Sequence, residues 1–221
     1  MEEAFSLAQT LREQEALTPA LEIAQTGLTL VGKGNCEYDL AIWTSNLAEG
    51  LGNLTAALTA RIQAFKARPE FGDYRLAEYL AGETWEEVKA ELLASLRTSS
   101  GWGTHKAKVD IFLHEELIDD AIATVSELNF YEDTLIQRVM EKAVERSPDW
   151  VIDNATRRAE SIMDRGKAEA YYHAVEWLKL ARAAYQGAGR QSDWSAYRAQ
   201  LMQTHVRKYK LMAMLKAQDL E

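Results

Sequence analysis

Apolar residues recur along this chain at helical spacing, and breaks between the recurrences fall at intervals that pair the helices. Phe5, Leu7, Ala8 and Leu11 share one side of a first helix predicted over 3–16. Leu21, Ala24, Leu28 and Val31 do the same for a second, with Thr18 as its N-cap, Pro19 in its first turn and Gly32-Lys33-Gly34 as its stop. A third opens at Asn35 or Asp39, carries Leu40, Trp43, Leu47 and Leu51 on one stripe, and closes at Gly50 and Gly52. Leu58, Ile62 and Phe65 mark a fourth that stops before Pro69, because proline disfavours helical backbone in the residue before it. No stretch alternates β-branched and polar residues, so the pattern predicts almost no strand.

The same pairing continues. Tyr74 to Leu80 and Trp85 to Leu96 form a third pair, with Thr84 and Glu87 spaced as a capping box. Lys108 to Glu115 with Asp119 to Leu128 form a fourth. Tyr131 to Glu145 is followed by a helix from Ser147-Pro148 to about Asp164. A long helix over Ala168 to Tyr185, another from Ser192 or Asp193 through Leu201, and an amphipathic tail from His205 to Leu215 complete the chain. Thr98 to Thr104, rich in Ser and Gly, is the most turn-like run and a candidate hinge.

Leu17-Thr18-Pro19-Ala20-Leu21 returns 37 residues later as Leu54-Thr55-Ala56-Ala57-Leu58, at the same place in a helix-turn-helix. Register marks at Leu21, Leu58, Val88, Ile122 and Val151 are separated by 37, 30, 34 and 29 residues. That spread brackets the 34-residue period of tetratricopeptide arrays. The expected fold is therefore all-α: a right-handed α-solenoid of about five helical hairpins with a C-terminal capping helix, forming one domain over 1–221.

Composition agrees and narrows the partners. Ala, Leu, Glu, Gln and Arg dominate the 221 residues, and only three prolines interrupt them. A net charge of −9 opposes nucleic-acid binding over the whole surface, although a local basic patch escapes that argument. Cys36 is the only cysteine, which excludes an internal disulfide framework and a cysteine-based zinc finger. No apolar run approaches the roughly 20 residues of a membrane span, and Glu2 and Glu3 stand where a secretory signal carries positive charge. A cytoplasmic protein with no membrane association is expected.

Candidate chemistry is sparse. His114-Glu115-Glu116 with Asp119 and Asp120 fails the zincin spacing, since Ile118 occupies the position of the second histidine. Glu169 and His173 form an i, i+4 pair, read as local helix support rather than an acid–base cluster. Cys36 lacks any nucleophile signature, and Lys33 between two glycines lacks the rest of a phosphate loop. No catalytic residue, cofactor or metal is therefore assigned.

Two surfaces remain. Tyr38, Trp43, Tyr74 and Tyr79 fall on the first helices of hairpins, where each either packs between helices, the commoner role, or lines a concave peptide groove. His205, Arg207, Lys208 and Lys210 make the tail basic as well as amphipathic, suited either to sealing the last repeat or to meeting an anion.

The run from Ala168 through Tyr185, followed by Trp194, Tyr197, Leu201, His205, Arg207-Lys208 and Leu211 to Leu215, resembles the C-terminal region of bacterial SWIM zinc-finger proteins. Ala20-Leu-Glu-Ile-Ala24 and Leu47-Ala-Glu-Gly50 are similar to the helical region of the same family. The family's Cys-x-Cys…Cys-x-His motif has no counterpart here, so no zinc ligand carries over. The resemblance implies a tetratricopeptide-like interaction region, either detached from a longer protein or from a relative without the finger. The reading is a non-catalytic scaffold for a protein or peptide, with accessory nucleic-acid binding or regulation through the basic tail as the alternative.

Overall fold

The computed structural model describes residues 1–30, 35–101, 103–128 and 133–217. They are helical, and no strand occurs among the described residues. Two compact units divide the chain, Met1–Asp120 and Ala121–Glu221.

The first unit begins with α1 (Glu2–Glu13), α2 (Leu17–Thr29), α3 (Asn35–Gly50) and α4 (Leu54–Ala67). It continues with α5 (Phe71–Ala81), α6 (Trp85–Thr98) and α7 (Thr104–His114). Helix α8 (Ile118–Ser126) crosses the division. Within this unit α1 packs on α2, α2 on α3, α3 on α4, α4 on α5, and α5 on α6. Alanine makes these contacts close: Ala20, Ala24, Ala41, Ala48, Ala57 and Ala64 are wholly buried. A methyl group costs no side-chain entropy and lets helix axes approach. Gly27 takes this further, since a Cβ there would lie 2.9 Å from the Ala4 Cβ.

The turn preceding the repeated motif has a common geometry. Glu15, Gly52 and Glu116 take φ of 62°, 75° and 57°. In each turn one amide bonds back five residues, from Ala16 to Leu11, Asn53 to Ala48 and Leu117 to Phe112. A second bonds back three, from Glu15 to Arg12, Gly52 to Glu49 and Glu116 to Leu113. This is the Schellman arrangement, which satisfies carbonyls at a helix C-terminus. Each left-handed residue stands two positions before the next helix, so the motif marks a turn that starts a helix in a fixed direction.

Two predicted caps are corrected. Thr18 lies inside α2, which begins at Leu17 after Ala16, and makes no cap bond. Thr84 donates its hydroxyl to the Ala81 carbonyl at 2.9 Å, within the short turn Gly82–Thr84, instead of accepting from Glu87. The turn chemistry that works is at Asn53, whose Oδ1 accepts from the Ala56 amide at 3.1 Å. Gly32-Lys33-Gly34, Trp102 and the start predicted at Tyr131 lie outside the described residues.

The second unit contains α9 (Asp133–Ala143), α10 (Pro148–Asp164), α11 (Tyr171–Gly187), α12 (Gln191–Thr204) and α13 (Tyr209–Ala217). Its main seam joins α10 to α11. Val151, Ala155 and Ala159 bury one stripe of α10, and Ala174, Val175, Leu178 and Ala181 bury the facing stripe of α11. The long helix predicted from Ala168 starts instead at Tyr171, after a tighter turn over Ala168–Ala170. Another Schellman turn at Gly189 (φ 71°) leads into α12. Among the described residues no helix is long and apolar enough to cross a membrane.

Candidate functional site

Helix α3 carries an apolar stripe that leaves the core as it runs. Leu40, at its start, is wholly buried between Ala8 and Ala24. Trp43 is half-buried, with its ring edge-on to Phe5 at 5.9 Å. Leu47 is also half-buried, and Leu51 beyond the helix is 40% exposed. Trp43, Asn46, Leu47 and Gly50 are spaced i, i+3, i+4 and i+7, hence on one face. With Arg12, Leu17 and Leu51 they line a cleft of about 350 Å³, at the small end of the range for ligand pockets. Gln9, Arg12, Glu13 and Trp43 line a second concavity, so Arg12 and Trp43 belong to both. The Arg12 guanidinium lies 6.0 Å above the Trp43 ring, at the outer limit of a cation–π contact.

A buried polar network lies behind this face. Arg61 and Asp73 are almost fully buried and paired at 2.8 Å. The other Asp73 oxygen accepts from the Tyr38 hydroxyl at 2.8 Å. Arg61 also donates from Nε to the Ser45 Oγ at 3.2 Å and from Nη2 to the Asn46 Oδ1 at 2.7 Å. Ser45 completes the chain by donating to the Ala57 carbonyl. The charges therefore have partners on three helices, which a buried ion pair needs to offset its desolvation. One consequence reaches the surface: Asn46 spends its carbonyl oxygen on Arg61, so its amide N–H groups are the ones left for the cleft.

The four aromatics predicted to line one groove divide among four environments. Trp43 lines the cleft. Tyr38, five residues earlier and so about 140° around the helix, belongs to the buried network, with the Arg68 guanidinium 3.5 Å over its ring. Burial is the main influence raising the Tyr38 hydroxyl pKa. Tyr74 has no exposed surface, which corrects its groove assignment. Its ring packs at 5.1 Å on Trp85 and 5.9 Å on Phe65, and its hydroxyl donates to Glu115 at 3.0 Å. Burial, then that carboxylate, push its pKa far up. Tyr79 is 73% exposed and lines neither concavity.

The basic tail also separates. His205 is buried at the end of α12, where burial first and Lys208 second hold its imidazole below the ordinary 6.5. Lys208 donates to the Met163 carbonyl at 2.6 Å. Arg207 and Lys210 are exposed, beside Val206 and an 82% exposed Tyr209. Leu211, Met212 and Leu215 are buried, and α13 packs on α11. Two of the four basic residues thus serve the fold rather than a shared surface.

The remaining candidates are placed plainly. His114 meets Phe71 edge-on at 5.4 Å and Arg75 at 3.3 Å, and Asp120 forms a two-pronged pair with Arg97. His173 is exposed and tilted against the Tyr172 ring, and Cys36 is half-buried. Among the described residues no three His, Cys, Asp or Glu side chains could hold a metal ion. Arg12, Asn46 and Gly50 were missed by sequence reading. Asn46 and Gly50 carry a signal in their spacing from Trp43, i+3 and i+7, whereas Arg12 on α1 carries none.

No family model, curated protein or solved structure matches this chain.

Proposed function

We propose that the chain is a helical-repeat scaffold that binds a peptide segment of another protein in the cleft between α1 and α3, without catalysing a reaction. The observation that carries this reading is the cleft itself. Its lining joins four apolar side chains, Leu17, Trp43, Leu47 and Leu51, to two polar ones, Arg12 and Asn46. That combination of an apolar floor with a few placed polar groups is what recognition sites use. The packing of each helix from α1 to α6 on its sequence neighbour and the recurring Schellman turn support a stack of hairpins. In such a stack α1 and α3 are first helices, and they form the groove. Membership of a SWIM-type polypeptide rests on the residue patterns quoted above. A reading frame with Cys-x-Cys and Cys-x-His in the same polypeptide tests it.

Gly50 supplies the test of the cleft. It lines the site, and a Cβ built there meets nothing within 4 Å. Gly50→Trp therefore fills the cleft without disturbing the core. Selection from a displayed random peptide library should enrich binders on the natural chain that fail to bind Gly50→Trp. Binders held equally by both proteins would refute the site, as would a selection that enriches nothing.

A further inference from the structure

We infer that the segment held between α1 and α3 is an extended peptide presenting one apolar side chain beside one carboxylate. This rests on the peptide-binding reading above and names its ligand chemistry. Three observations define it.

The apolar part comes from Leu17, Leu47 and Leu51, two of them substantially exposed, at 37% and 40% for Leu17 and Leu51. Exposed leucines bordering one cleft gain by covering with an apolar side chain. The carboxylate follows from Arg12. It is the only charged residue lining this cleft, and it has no ion pair among the described residues. Its fork-shaped guanidinium matches a carboxylate. Glu13 borders the adjoining concavity and the chain carries a net charge of −9. Both oppose a run of acidic residues, so the site suits a single carboxylate placed at Arg12.

The backbone reader is Asn46. Its oxygen is fixed by Arg61 Nη2 at 2.7 Å, which leaves its N–H donors to meet a peptide carbonyl beside the apolar floor. Arg61 is thus a positioning residue that acts through Asn46. It is itself held by Asp73 at 2.8 Å.

The test uses the full chain and fluorescent synthetic peptides, each with one leucine flanked by Asp, Asn or Lys in otherwise matched sequences. Polarisation should show the Asp set binding most tightly, with affinity falling as salt rises. Arg12→Ala should weaken the Asp set about tenfold and leave the Asn set nearly unchanged. Arg12→Glu should transfer the preference to the Lys set. Asn46→Leu should weaken all three sets alike. Equal binding of the sets, abolished by Gly50→Trp, would overturn the carboxylate assignment while leaving peptide binding in the cleft intact. Binding unaffected by Gly50→Trp, or no binding of any set, would overturn both. Circular dichroism of each variant separates lost binding from lost fold.

Discussion

Asp73→Ala is the substitution that strikes the buried polar network at its centre. It removes the partner of Arg61, whose side chain is 4% exposed, and deprives the Tyr38 hydroxyl of its acceptor. Arg61 keeps Ser45 and Asn46 but no counter-charge in this network. Breaking a buried pair from one side costs about 3–5 kcal/mol, because the remaining charge is neither hydrated nor neutralised. Tyr38→Phe removes one hydrogen bond to the same carboxylate and should cost about 1.5–3 kcal/mol. In the double variant the Tyr38 bond is already gone, so the two losses should fall short of adding. Replacing both ions, as Arg61→Met with Asp73→Leu, should recover much of the loss, since no uncompensated charge remains. Urea unfolding followed by far-ultraviolet circular dichroism reads these differences as midpoint shifts. A loss under about 1 kcal/mol for Asp73→Ala, or strict additivity with Tyr38→Phe, would refute the network as described.

Other consequences are smaller. Glu116→Gly should stabilise by about 1 kcal/mol, because φ of 57° is costly for any residue with a Cβ and free for glycine; a lowered melting temperature would contradict this. Gly27→Ala should destabilise by about 1 kcal/mol or more despite the better helix propensity of alanine. The new methyl would meet the Ala4 Cβ at 2.9 Å and the Leu40 Cδ2 at 3.1 Å, and the Ala4 methyl cannot rotate away; an unchanged midpoint would show that α1 gives way. His205 has a pKa below the ordinary 6.5 in the folded chain. Its neutral form is therefore the one the fold accommodates: its contribution is full above 6.5 and is lost as pH falls toward the folded value. His205→Gln should flatten the decline in stability as pH falls below 6.5, and an unaltered pH profile would remove His205 as its source.

Helices were legible because their signals are local. Apolar stripes, the stop before Pro69 and the Ser147-Pro148 start each depend on residues within a turn of each other. Caps were less so: Thr84 looks like half of a capping box, yet its hydroxyl turns back to Ala81. Glu15 and Glu116 hid a turn that glycine announces openly at Gly52, since glutamate in left-handed backbone has no sequence marker. The candidate site was half legible. Trp43 stood out as an aromatic on a first helix, but Tyr74 carries the same signal and is core. What separates them is which neighbouring helix covers each, and that depends on residues far along the chain. Arg61 and Asp73, 12 positions apart, give no local hint of pairing. Asn46 as a cleft donor follows only from that pair.

Nuclear magnetic resonance titration of the labelled full chain with a library-selected peptide tests the central claim most directly. The account predicts shifts concentrated on Arg12, Leu17, the Trp43 indole, Asn46 and Leu51, and their loss in Gly50→Trp. Shifts confined to another surface, such as Val206 to Lys210, or shifts that persist in Gly50→Trp, would contradict it.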